Sequence, residues 1–493
     1  MYLRAPKQPD TRHKEFFSTE HTQYLFAAIL VGLTAPAAAQ QATWSDWPQF
    51  LGPDRNGASP EKGLLRSWPE DGPKLLWKMP VPAGFGTPSV SKGEVFLLGR
   101  IGRWGKTDQG RSVRCLDAFT GEPRWEFKYA TRKDPEAARK MQPGWGYCPR
   151  ATATVTDAYV YTIDELGEMY CLDRKTGKEV WFRDLDADFT PSHSDWKGWC
   201  ASPLIVDGRL ILPTGSTNPT GPPSKRDARF SAFDPETGKP LWTCTEPPGK
   251  SRFGGASISA HTPTPVTLGG ESGVLACANG RLLAIRVKDG AIVWRQEGAQ
   301  YQEVIPNVQA IGDCVFVTPF DDPARCFQVD FAKPPFESKL LWKTAEKYAP
   351  VAPGTVTGGY STWVHHKGFV YGISLVGVGP NMGDSTLYCL ELATGKVMWK
   401  KEWLAQKHGG SILLADGLLI ARAASEVTLI EADPAELKLR GTFNLKGKGA
   451  AGSDFGGWVM PVVAYGRLYL RTEGEVSCYA AIEKPPAREE IAR

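Results

Sequence analysis

A short pattern ending in tryptophan recurs along this chain and constrains its fold more than any other feature. The clear copies are RCLDAFTGEPRW (Arg114 to Trp125), YCLDRKTGKEVW (Tyr170 to Trp181), SAFDPETGKPLW (Ser231 to Trp242), LAIRVKDGAIVW (Leu283 to Trp294) and YCLELATGKVMW (Tyr388 to Trp399). Degenerate copies end at Trp77 and Trp342. These tryptophans stand roughly 54 residues apart, within the range of a four-stranded propeller blade. In the second unit, Ala151 to Thr156, Tyr159 to Asp164, Glu168 to Asp173 and Lys178 to Arg183 read as strands separated by turn residues. Units beginning near Thr87, Ala151, Ala201, Thr262, Pro306, Ser361, Ser411 and Val459 then predict eight blades.

The last unit has strands at Val459 to Ala464, Arg467 to Arg471 and Glu475 to Tyr479 but lacks a fourth. A leftover strand, Lys74 to Val81, stands ahead of the first complete unit. Pairing the two closes the ring and removes exposed sheet edges. The expected fold is therefore all-β, an eight-bladed β-propeller of four-stranded antiparallel blades over residues 73–481. It is closed by the N-terminal strand near Trp77, preceded by an extension over 40–72 and followed by a tail over 482–493. The 52 Gly, 39 Pro and 17 Trp agree with many short strands and turns. A possible short helix falls near Asp134 to Met141.

Residues Tyr24 to Leu33 form an apolar stretch too short to span a bilayer, and Ala37-Ala38-Ala39 offers a cleavage site. Residues 1–39 are expected to be a signal peptide, which places the rest in the periplasm or outside the cell, with no transmembrane segment. A formal net charge of +4 gives no reason to expect nucleic acid as a partner. Of the ten cysteines, Cys115, Cys171, Cys326, Cys389 and Cys478 fall at one repeat position and read as small buried hydrophobes. Cys148 and Cys200 precede adjacent blades and can be read as a disulfide or as unpaired packing.

The run xLDxxTGxxxW resembles the pyrroloquinoline quinone (PQQ) repeat of eight-bladed quinoprotein alcohol dehydrogenases. The outer-membrane assembly lipoprotein shares that propeller without the cofactor. The opening Asp46-Trp47-Pro48-Gln49-Phe50-Leu51-Gly52-Pro53, with Gly63-Leu64-Leu65, resembles the secreted PQQ-like repeat proteins of planctomycete-type bacteria. The resemblance implies that Trp77, Trp125, Trp181, Trp242, Trp294, Trp342 and Trp399 dock between blades as structural residues. It implies PQQ and calcium as possible cofactors. The dehydrogenases' adjacent Cys-Cys pair is missing here, as is the assembly protein's lipidated cysteine.

Turns between first and second strands and between third and fourth strands are tight and leave a minimal bottom face. The other connections run long and emerge on the opposite, top face, where binding residues are expected. Trp145, Tyr147, Trp199, Tyr360 and Trp458 lie beside glycines where the chain joins the innermost strands. They either plug the channel mouth as packing or form a platform for a flat or ring-shaped ligand. Polar candidates at the same level are Arg150, His261, Asn307, His408 and Asp454, while Glu303, Asn307, Asp321 and Asp322 are a candidate calcium set. His365-His366, beside a bottom turn, reads as surface.

Two functions follow as expectations. The first is a binding scaffold for a protein, glycan or small molecule, without turnover. The alternative is a PQQ- and calcium-dependent dehydrogenase of an alcohol or sugar, with the quinone on Trp145, Trp199 or Trp458 and Asp454 as base.

Overall fold

The computed structural model describes residues 44–102, 110–133, 148–189, 199–215, 228–247, 262–278, 280–297, 307–319, 322–345, 356–358, 361–375, 385–403, 410–445 and 458–491. The expected signal peptide and the short helix near Asp134 lie outside them. The strands form eight antiparallel blades in a propeller ring. Innermost strands begin at Ser89, Thr154, Leu204, Thr264, Gln309, Val364, Ser411 and Val462. Among the described residues, helix is confined to Leu185–Phe189 and Arg488–Ile491. No helix among the described residues is long and apolar enough to cross a membrane.

The repeated residues lock each blade to the next. Asp173 Oδ1 accepts from Thr176 N at 2.8 Å and from its hydroxyl at 2.6 Å, and Asp234 holds Thr237 the same way. These bonds pull both carboxyls below their ordinary pKa and fix the turn ahead of the fourth strand. A β-bulge then precedes the tryptophan, which stands opposite the repeat cysteine in Cys115↔Trp125, Cys171↔Trp181, Cys326↔Trp342 and Cys389↔Trp399.

Each indole lies on the turn of the following blade. Trp77, Trp125, Trp181, Trp242, Trp342 and Trp399 donate from Nε1 to the carbonyls of Ala118, Arg174, Pro235, Val287, Leu392 and Asp433 at 2.7 to 3.2 Å. The rings cover the turn glycines. A Cβ built on Gly121, Gly238 or Gly290 would lie 2.5, 2.8 or 2.6 Å from the preceding blade's indole. The repeat is therefore an indole-on-glycine interlock, and each buried apolar side chain in the seams adds roughly 1.5–3 kcal/mol.

Two seams depart from the rule for reasons visible in their residues. Blade 5 has no Thr-Gly turn, and Phe331 instead meets Trp294 edge-on at 5.4 Å. Blade 7 has Gly441 at the register position of the tryptophan, opposite Leu429. Trp68 of the N-terminal extension occupies the space, its backbone N–H donating to Arg440 O at 2.7 Å and its ring edge-on to Phe443.

Leu75–Pro80 pairs antiparallel with Glu475–Ala480, with Trp77 opposite Cys478. The same bulge precedes Trp77, so this strand is the missing fourth strand of blade 8. The segment before it adds to the minimal bottom face expected from the tight turns. Trp47 bridges Val90, and Pro48 O accepts from Val155 N. Gly57 lies against Val364, and Ala58–Ser59 adds a parallel strand beside Leu414–Ala415. Glu61, fully buried, accepts backbone N–H groups from Ser45, Tyr465 and Gly466, while burial pushes its carboxyl up to about 7. The extension thus crosses the tight-turn end and touches blades on both sides of the axis.

Candidate functional site

The segments leading into the innermost strands carry small hydroxyl residues because their neighbours around the axis are close. Thr87 N donates to Thr152 Oγ1 at 2.9 Å, Thr152 N to Ser202 Oγ at 2.9 Å and Ser202 N to Thr262 Oγ1 at 3.0 Å. One layer further in, Ser89 Oγ donates to Ala153 O, Thr154 Oγ1 to Pro203 O and Gln309 Nε2 to Trp363 O. Asn307 takes the place of the hydroxyl in blade 5. Its N–H reaches Thr362 Oγ1 at 3.4 Å, but its carboxamide is buried with both polar atoms unpartnered among the described residues. A buried amide in that state is a potential ligand contact.

The end carrying the long connections also holds buried charge between blades 1 and 2. Arg111 Nη2 lies 2.6 Å from Glu165 Oε1, and its Nε lies 3.4 Å from Asp164 Oδ2. Tyr129 donates to Asp164, whose other oxygen accepts Leu166 N and Glu168 N at 3.0 Å. Glu168 accepts from Arg132 N and Thr131 Oγ1. Burial raises the Asp164 and Glu168 carboxyls, so this cluster can hold a proton that free carboxylates would lose. Sequence reasoning missed it, although adjacent acids at the end of an apolar strand, Asp164-Glu165, were a usable signal.

Of the residues singled out from the sequence, Arg150 is half-buried where the chain joins blade 2. Trp199 is buried, with its indole on Gly167, its backbone N–H bonded to Glu165 O and Leu185 in the same cluster. Trp458 is half-buried with its ring 6.0 Å from that of Phe85, which packs with Cys148 and Val459. Asp322 is buried and paired with Arg325. Trp145, Tyr147, His261, Tyr360, His408 and Asp454 lie outside the described residues, as do Glu303 and Asp321. No disulfide joins any of the ten cysteines, Cys148 and Cys200 included. Burial pushes the Cys148 thiol up to about 12.

Trp199 and Asp322, singled out for PQQ and calcium, are engaged otherwise, while Trp145, Glu303 and Asp321 lie outside the described residues. The Trp199 indole is spent on packing over Gly167 rather than offering a free face. The Asp322 carboxylate is neutralised by Arg325. Among the described residues no group of three or more His, Cys, Asp or Glu side chains is placed to hold a metal.

A quinohemoprotein alcohol dehydrogenase of Pseudomonas putida, ADH-IIG, is 26% identical over 184 residues, which are 36% of this chain and 22% of that protein. The chain thus spans about a fifth of that relative's length. The crystal structure of a quinohemoprotein alcohol dehydrogenase from Comamonas testosteroni superposes with a TM-score of 0.64 at 14% identity, covering 90% of this chain and 82% of that one. BamB from Moraxella catarrhalis gives 0.50 at 13%, covering 79% and 100%. Likeness at such identities carries the fold alone. The PQQ-repeat family described as outer membrane protein assembly factor BamB matches residues 109–331 and 383–484, more than half of the chain, and the chain belongs to that family.

Proposed function

We propose that this protein is an exported binding scaffold whose loop-bearing face takes a protein, glycan or small-molecule ligand without turning it over. The difference between the two ends of the ring carries this reading. The tight-turn end is crossed by the N-terminal extension. The other end bears the connections 130–153, 185–203, 247–263, 344–363 and 445–461, with the unpartnered Asn307 carboxamide and the Arg111 cluster beneath. Long connections on a rigid frame are where recognition resides.

The test uses the chain lacking residues 1–39, loaded with PQQ and calcium and offered methanol, ethanol and glucose with an artificial electron-accepting dye. The expected result is dye reduction at the buffer rate. Substrate-dependent reduction that requires both PQQ and calcium would replace the scaffold with the dehydrogenase reading.

A further inference from the structure

At the tight-turn end, where the extension crosses blades 4 to 6, a cavity of about 310 Å³ remains. Asp54, Arg55 and Asn56 line one side, and Thr264, Gln309 and His365 line the other. This is space for a small metabolite. Arg55 is the unusual member. It is 1% exposed and held at a φ of 52°, a left-handed conformation that non-glycine residues seldom adopt. Its Nε donates to Gln49 Oε1 at 3.0 Å and its Nη2 to Pro203 O, while Nη1 has no partner among the described residues. No carboxylate pairs with it among the described residues, and burial alone lowers it to about 9. A buried, uncompensated guanidinium is costly in a folded chain unless an anion completes it.

The opposite wall supplies neutral groups. His365 Nε2 accepts from Gly368 N at 3.1 Å, which leaves Nδ1 to carry the proton as a donor. Burial lowers His365, so it stays uncharged near neutral pH, and it is half-buried rather than the surface residue its position suggested. Gln309 spends its amide N–H on Trp363 O and keeps its carbonyl oxygen. Asp54 is exposed on the same lining and brings the only acid there among the described residues.

We propose that this cavity is a second, independent site for a small zwitterion of the amino-acid or short-peptide class, its carboxylate on Arg55 and its ammonium toward Asp54. The planar guanidinium suits a carboxylate, and the acid near it disfavours dianions such as phosphate. The site is separate from the loop-bearing face and stands or falls independently of it.

Calorimetric titration of the chain lacking residues 1–39 with glycylglycine, succinate and inorganic phosphate tests the proposal. The expected result is one glycylglycine bound per chain, at least fivefold tighter than succinate or phosphate. Arg55→Met is expected to weaken it tenfold or more, and Asp54→Asn to shift preference toward succinate. Ala310→Trp, at an exposed position on the cavity wall, blocks the site without touching Arg55 and is expected to abolish the heat. Absence of one-to-one binding by glycylglycine in the millimolar range overturns the proposal. Phosphate binding tighter than glycylglycine, or unchanged glycylglycine affinity in Ala310→Trp, does so too.

Discussion

Replacing Gly290 by alanine is expected to destabilise the protein by about 2–5 kcal/mol, whereas the same change at Gly208 costs only about 1–2 kcal/mol. Both glycines sit in tight turns at positive φ, 74° and 66°. Alanine therefore meets a similar backbone penalty at each. They differ in what lies above them. A Cβ on Gly290 would stand 2.6 Å from Trp242 Cε3, and a Cβ on Gly208 would meet nothing within 4 Å. The excess at Gly290 is the indole interlock between blades 3 and 4. That interlock also holds the Trp242 Nε1 bond to Val287 O at 2.7 Å. Combining Gly290→Ala with Trp242→Ala should remove the clash, so the double variant falls short of additivity by about 1–3 kcal/mol. Denaturant midpoints of the four proteins measure this. Equal costs at Gly290 and Gly208 would mean that the repeat glycine serves the turn alone.

Trp47→Ala is expected to cost about 3–5 kcal/mol, the range for truncating a buried indole. Trp47 is fully buried, its ring lies against Gly52, and its backbone exchanges two hydrogen bonds with Val90 in blade 1. Truncation would empty the space between the extension and the innermost strands. Thermal unfolding measures the change. A loss below about 0.5 kcal/mol, as at an ordinary surface position, would mean that the extension is not part of the core.

The blades were legible because the turn chemistry and the indole recur at a fixed offset, and the indole does the same job at six of the eight seams. The closing strand was legible for the same reason, since Trp77 carries the repeat without its blade. Seven of the eight blade beginnings fall two or three residues later than the sequence suggested, and that of blade 7 stands at Ser411 as expected. Residues such as Thr152 and Ser202 bond around the axis to the neighbouring blade instead of along their own ladder. The extension was opaque because it repeats nothing. Trp47 and Glu61 find their partners in blades 1 and 8, hundreds of residues away for Glu61.

The site was less legible than the fold. Trp199 was singled out for its neighbouring glycine, Gly198, yet its indole packs on a different one, Gly167. Asn307 was chosen by position at the axis, and the structure gives it a buried, unpartnered carboxamide. Arg55 carries no local signal at all. Its burial follows from the path of the extension across the ring, a tertiary fact that no spacing encodes.

Native-state hydrogen exchange read at residues 75–80 and 475–480 tests the closed ring most directly. If the first strand of the chain completes the last blade, the ladder amides of both segments exchange together, among the slowest in the protein. Exchange of residues 75–80 within seconds, beside protected amides at 475–480, would contradict the account.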